Sequence, residues 1–139
     1  MSEQPNIAFT APHFAASQVG LDILEKGGTA IEAMVAAAAS IAVEYPHMNG
    51  LGGDGFWLIS EPGKAPIGID ASGVAAQGAT PGFYEGLEAI PSRGGKAALT
   101  MAGAVAGWQA ALDISAKWQA PLPLRTLLDT AISQANWGI

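Results

Sequence analysis

The sequence predicts an α+β fold, and three observations lead to that class. Apolar residues recur at helical spacing in several segments, the first over residues 14–26. Residues 56–59 and 65–70 are short apolar stretches on either side of the turn-forming sequence Glu-Pro-Gly-Lys, which is typical of a hairpin. The predicted order is a strand, two helices, the hairpin and then further helices. The 139 residues are enough for one domain.

The first elements follow from local signals. Residues 7–9 (Ile-Ala-Phe) predict a short buried strand. The helix over residues 14–26 has a lysine in its last turn, and a pair of glycines then stops it. The second helix begins at Thr29, where Thr-Ala-Ile-Glu matches a capping box. Its residues 30–43 are apolar on nearly every side, which predicts burial on all sides.

The later elements are predicted in the same way. The strand over residues 56–59 is apolar on both faces, which predicts that it lies between two layers. Thr80 and Pro81 are a suitable cap and first position for a short helix that ends at Leu87. Helices over residues 104–118 and 124–134 follow, separated by prolines. We expect the tryptophans to pack in the core or between layers, except an exposed one near the end; in order they are Trp57, Trp108, Trp118 and Trp137.

Composition excludes several classes of protein. A net charge of −6 and a pI near 4.6 argue against a nucleic-acid binder, which needs a basic face. The absence of cysteine excludes disulfide and thiol chemistry. The longest apolar run, residues 33–43, is shorter than the roughly 20 residues that span a bilayer. The first residues do not form a secretory signal, so we expect a cytoplasmic protein.

A glycine-rich segment, residues 45–56, is the most informative part of the sequence. Glycine at this density requires either positive φ angles or the close approach of another segment or a ligand. Residues 50–55 match G-x-G-x-x-G, but a helix precedes them and a strand follows, the reverse of the order in a dinucleotide-binding loop. A tight helix-to-strand connection is the simplest interpretation.

The titratable residues have structural and functional interpretations. His13 and His47 lack a further ligand at coordinating spacing, so we interpret them as hydrogen-bonded structural histidines and predict no metal site. Asp54 and Asp70 could be paired carboxylates of the kind that glycosidases use. A carboxylate that caps a backbone turn is the favoured interpretation for both.

Several segments, taken together, resemble the gamma-glutamyltranspeptidase family of N-terminal-nucleophile hydrolases. They occur in order and at family spacing from about residue 8 onwards, and include Thr10-Ala-Pro-His13, residues 20–30, residues 46–56, Met101-Ala-Gly-Ala-Val-Ala-Gly107 and residues 131–138. The resemblance implies a four-layer αββα sandwich, of which residues 1–139 would be the N-terminal part of the large subunit. We therefore expect a single, incomplete domain.

The resemblance also implies a reaction. Such proenzymes cleave themselves, and the threonine that begins the small subunit attacks an amide and passes the acyl group to water or an amine. Nothing here matches that threonine, so we assign no catalytic residue and expect the isolated chain to be inactive. The implied partners are the remainder of the large subunit and the small catalytic subunit, or a second copy of the chain. The implied substrate is a small amide, with no cofactor, metal, nucleic acid or membrane.

Six residues are candidates for substrate binding. Ser72 aligns with the family's arginine that grips the α-carboxylate of the glutamyl group, and Gly73 aligns with the next glutamate. A serine cannot supply that charge. Specificity for a different small acyl group, as in the oxamate amidohydrolase branch, is therefore expected. The other candidates come from the glycine-rich segment, which could form part of the floor of the acyl pocket: Asn49, Gly52, Gly53 and Asp54.

Two alternatives stay open at this point. The chain could be a non-catalytic structural or assembly fragment whose exposed apolar layer makes it self-associate. It could also be a small nucleotide-binding module that uses the glycine loop.

Overall fold

The computed structural model describes residues 6–97 and 100–138. Within them the elements are α1 (Phe14–Glu25), α2 (Ala30–Glu44), β1 (Gly55–Ile59), β2 (Ile67–Ala71), a 3₁₀ helix (Pro81–Tyr84), α3 (Ala104–Ser115) and α4 (Leu124–Trp137). The chain divides into two compact units. Residues 52–107 form the second unit, and the segments on either side of them form the first. None of the helices within residues 6–97 and 100–138 has the length and hydropathy that a membrane-spanning helix requires.

The first unit is built on α2, which packs against α1 and α4. Its core is almost entirely aliphatic and alanine-rich, with Val19 and Ile23 from α1, Ile31 and Val35 from α2, and Leu127 from α4. Burial of α2 on all sides is wrong at Met34, which is 46% exposed.

Local signals fix the ends of α1 and α2 where the sequence predicts them. Gly27 ends α1 with a φ of 84°, and the Gly28 N–H donates to the Ile23 carbonyl at 2.9 Å. At the start of α2, the Thr29 hydroxyl oxygen accepts from the Glu32 N–H at 3.1 Å, and the Glu32 carboxylate accepts from the Thr29 N–H at 2.7 Å. The capping box is therefore confirmed.

The second unit contains the predicted hairpin. β1 and β2 pair antiparallel with Trp57 opposite Ile69, and the Lys64 N–H donates to the Glu61 carbonyl across the connecting turn. Burial of both faces of β1 is wrong, because Phe56 and Leu58 are 72% and 81% exposed. One face of this hairpin is therefore apolar and open.

Three further predictions need correction. Residues 7–9 form no strand; the Phe9 ring lies over Gly20 of α1 instead. The segment after Thr80 forms only a 3₁₀ turn, and the Thr80 side chain does not cap it. Trp118 is 36% exposed rather than packed in a core, whereas Trp137 is exposed as predicted, at 88%.

Candidate functional site

Two of the predicted site segments meet in the second unit. The Asp54 Oδ1 atom accepts a hydrogen bond from the backbone N–H of Gly73 at 2.8 Å, although the residues are 19 positions apart. Asp54 therefore caps a backbone group, as the favoured interpretation predicts. Gly53, Asp54, Ser72 and Gly73 consequently belong to one local arrangement.

The turn that carries Ser72 is organised by Asp70. The Asp70 Oδ1 atom accepts from both the Ser72 hydroxyl and the Ser72 N–H, the latter at 2.9 Å. The hydroxyl bond first, and the backbone bond second, lower the pKa of the Asp70 carboxyl from its ordinary value. Asp70 is therefore a carboxylate at neutral pH, and the Ser72 hydroxyl proton is engaged. The Ser72 oxygen remains available mainly as an acceptor.

Behind this turn the backbone is packed without room for side chains. A β-carbon on Gly73 would overlap the Met101 carbonyl oxygen, and one on Gly103 would overlap the Ala71 carbonyl oxygen. The Met101 N–H also donates to the Val74 carbonyl at 3.0 Å. Residues 101–103 therefore support the Ser72 turn. Sequence reasoning noticed this segment as a family motif but did not assign it to the site.

The same segment also holds the glycine-rich loop. The Gly53 carbonyl oxygen accepts from the Gly103 N–H at 3.0 Å and from the Ala104 N–H at 2.9 Å, where α3 begins. These two amides are among the helix-terminal donors that need a partner outside the helix. The loop and the Ser72 turn thus share one support.

The other two candidates have different surroundings. The Asn49 side-chain amide donates to the Tyr45 carbonyl at 2.9 Å and to the Ile41 carbonyl at 3.3 Å, so it closes the C-terminal end of α2 in the first unit. Gly52 is exposed, and within residues 6–97 and 100–138 no atom lies within 4 Å of the position that its β-carbon would take.

The glycine loop itself corrects one expectation. The four glycines of residues 50–55 have no positive φ angle. Of these four glycines, only Gly55 is closely approached by another described residue, with Ala104 Cα 3.3 Å from the position of a β-carbon. The loop does run from helix α2 into strand β1, the order that disfavours dinucleotide binding.

The histidines do not form a metal site within residues 6–97 and 100–138, where no three ligating side chains gather. His13 Nδ1 is buried without a hydrogen-bond partner and lies 3.7 Å from Glu44 Oε2. The prediction of a hydrogen-bonded histidine is therefore wrong for this atom. The His47 ring packs edge-on against the Tyr45 ring, with 4.3 Å between the two ring centroids.

Comparison with solved structures defines the class. The chain superposes on the gamma-glutamyltranspeptidase of Helicobacter pylori with a TM-score of 0.79 at 29% identity, covering 97% of this chain and 39% of that one. The fold is accordingly part of an N-terminal-nucleophile hydrolase, which confirms the predicted class.

Sequence comparison gives the family. The profile of the family Gamma-glutamyltranspeptidase matches residues 16–139. The chain is 60% identical over 130 residues to the oxamate amidohydrolase proenzyme of Klebsiella pneumoniae, covering 93% of this chain and 25% of that protein. It is 43% identical over 129 residues to a glutathione hydrolase-like proenzyme of Bacillus subtilis, covering 92% and 24%. The chain belongs to the gamma-glutamyltranspeptidase family, corresponds to its N-terminal part, and spans about a quarter of the length of these relatives.

Proposed function

We propose that this chain supplies a wall of the acyl pocket of an amidohydrolase that cleaves a small amide of the oxamate type rather than a γ-glutamyl amide. The observation that carries the proposal is the Asp70–Ser72 turn. It presents a carboxylate and an acceptor oxygen at the position where the family resemblance implies an arginine. The 60% identity to an oxamate amidohydrolase proenzyme supports the same choice.

The donors of the turn are already engaged. The Ser72 hydroxyl and N–H donate to Asp70, and the Gly73 N–H donates to Asp54. A γ-glutamyl α-carboxylate at this position would therefore meet a negative charge rather than a donor, whereas the carboxylate of oxamate is bonded directly to the reacting carbonyl carbon and does not reach as far from it. Two like charges about 4 Å apart repel by roughly 1 kcal/mol in water and more at a protein surface. A γ-glutamyl α-carboxylate is disfavoured at this position.

The nucleophile comes from outside the matched segment in this proposal. An N-terminal threonine hydroxyl attacks the amide carbon, and ammonia leaves with the proton taken from the hydroxyl. Water then attacks the resulting ester and releases the acid. The open apolar face of β1, formed by Phe56 and Leu58, supports the remainder of such a proenzyme as the covering partner.

A chimera tests the proposal directly. The 130-residue matched segment of the Klebsiella proenzyme is replaced by that of this chain, and release of ammonia from oxamate is compared with release of p-nitroaniline from γ-glutamyl-p-nitroanilide. We expect oxamate turnover, with γ-glutamyl turnover lower by about 100-fold or more. The unmodified Klebsiella proenzyme is the positive control, and the isolated chain should release neither product. A chimera that prefers the γ-glutamyl substrate overturns the proposal.

A further inference from the structure

We propose that Asp54 is a positioning residue: by accepting the Gly73 N–H it fixes the Ser72 turn and so sets the length of acyl group that the pocket takes. The inference rests on the proposed function, because it assigns a role within the same pocket. Asp54 acts through the backbone of Gly73 and need not touch the substrate.

The turn needs a tie because strand pairing ends before it. β2 ends at Ala71, whose partner Gly55 is the first residue of β1. Beyond that pair, a side-chain hydrogen bond replaces the strand pairing, because the Asp54 carboxylate accepts from the Gly73 N–H at 2.8 Å. A hydrogen bond to a charged acceptor is stronger than one between neutral groups. The tie therefore continues the contact between these two segments past the end of the hairpin.

A second restraint on the turn comes from residues 101–103. The carbonyl groups of Met101 and Ala71 occupy the volumes that β-carbons of Gly73 and Gly103 would need. The Ala75–Thr100 bridge and the Met101–Val74 hydrogen bond extend this backbone contact. The backbone contact therefore prevents the turn from shifting toward residues 101–103. Loss of the Asp54 hydrogen bond would change the position of the turn.

The loop that carries Asp54 has few side-chain restraints of its own. Gly52 and Gly53 precede Asp54, and β-carbons at both positions would meet no described residue within 4 Å. The loop is held by the Gly53 carbonyl, which accepts from the start of α3, and by the Asp54 carboxylate. Loss of the carboxylate should therefore loosen the loop and the turn together.

The test uses the chimera with two substrates that differ by one methylene, oxamate and malonamate. The measured quantity is kcat/KM for oxamate divided by kcat/KM for malonamate. When both values come from one protein preparation, this ratio is independent of how much of the enzyme is folded. One methylene is typically worth about 10- to 200-fold in such a ratio. We expect Asp54→Ala to lower the ratio by about 10-fold, mainly through a higher KM for oxamate, because displacement of pocket groups by about 1 Å is costly.

Two further variants separate positioning from charge and from folding. Asp54→Asn keeps an acceptor oxygen for the Gly73 amide and should stay within about 2-fold of the parent ratio. Glu88→Ala removes an exposed carboxylate from the same unit and should leave the ratio unchanged. Amide hydrogen exchange should show the Gly73 N–H exchanging faster in Asp54→Ala and not in Glu88→Ala.

The outcomes are distinguishable. A selective parent chimera whose ratio is the same in Asp54→Ala as in Glu88→Ala overturns the positioning role and leaves the proposed function intact. A parent chimera that hydrolyses neither amide overturns the proposed function, and the role of Asp54 with it. A lower ratio in Asp54→Asn than in Asp54→Ala would also overturn the inference, because the acceptor would then be irrelevant.

Discussion

Removing the carboxylate of Glu32 should destabilise the first unit strongly, although Glu32 is far from the candidate site in sequence. Glu32 is completely buried. One carboxylate oxygen accepts from the Thr29 N–H and the other from the Leu122 N–H, both at 2.7 Å. The Thr29 hydroxyl also shares a hydrogen bond of 2.6 Å with Ser115. The carboxylate therefore links the start of α2 to the segment that follows α3.

The magnitude follows from the two donors that Glu32→Ala would leave unpaired. A buried donor without a partner costs about 1–3 kcal/mol. The Thr29 N–H is buried, so it takes the full range, whereas Leu122 is partly buried and should cost about 1 kcal/mol. The expected loss is about 2–4 kcal/mol. Glu32→Gln keeps one acceptor oxygen but turns an NH₂ group toward the other donor, so we expect a loss of about 2 kcal/mol.

Urea denaturation followed by far-ultraviolet circular dichroism measures this loss. With an m value of about 2 kcal/mol/M, the midpoint for Glu32→Ala should fall by about 1–2 M. Glu25→Ala removes an exposed carboxylate from α1 and should change the stability by less than about 0.5 kcal/mol. Equal midpoints for the two variants would refute the reasoning, because the buried carboxylate would then contribute no more than an exposed one.

Three other predictions follow from the second unit. Ser72→Ala should raise the Asp70 pKa back toward its ordinary value in a carboxyl NMR titration, while Ser60→Ala should not. Because folding lowers the Asp70 pKa, the carboxylate stabilises the folded state at pH values above its pKa in the unfolded chain, and this stabilisation is lost as the pH falls through its pKa in the folded chain. An Asp70 pKa that Ser72→Ala leaves unchanged would contradict the hydrogen bonds. Gly103→Ala should lower the free energy of unfolding by about 1–3 kcal/mol, because the new β-carbon overlaps the Ala71 carbonyl. Gly68→Ala would meet no described residue within 4 Å and should leave the stability nearly unchanged. Similar melting temperatures for the two variants would contradict the overlap. Replacing both Phe56 and Leu58 by serine should reduce binding of a hydrophobic dye by the isolated chain more than Met48→Ser does, and an equal effect would count against the open apolar face.

Local signals in the sequence predicted the helices well, and the reason is physical. The ends of α1 and α2 depend on residues within about one turn of each other, such as Gly27 and the Thr29–Glu32 pair, so the pattern contains all that is needed. The hydrogen bond from Leu122 to Glu32 joins residues 90 positions apart, and nothing local indicates it. The capping box was therefore predictable, and its second function as a tie between elements was not.

Apolar patterns predicted strands better than they predicted what covers them. The continuous apolar run of residues 56–59 predicted β1 correctly, but not which face is covered within the described chain. Residues 7–9 have the composition of a strand, yet no segment of the described chain pairs with them, and the Phe9 ring lies over Gly20 of α1 instead. Hydrophobicity indicates that a residue favours burial, and the identity of the neighbour depends on the tertiary structure.

The glycines show why the candidate site was only partly predictable. The densest glycine cluster of the sequence lies before β1, yet β-carbons at Gly50, Gly52 and Gly53 would meet nothing within 4 Å among the described residues. The isolated Gly73 and Gly103 are the ones whose hydrogen atoms let two backbone segments touch. The density of glycines in the sequence therefore does not indicate which glycines are closely packed in the structure. Because the two crowded glycines belong to segments about 30 residues apart, only the tertiary contact reveals that the Ser72 turn is held at Gly73 by residues 101–103 as well as by Asp54.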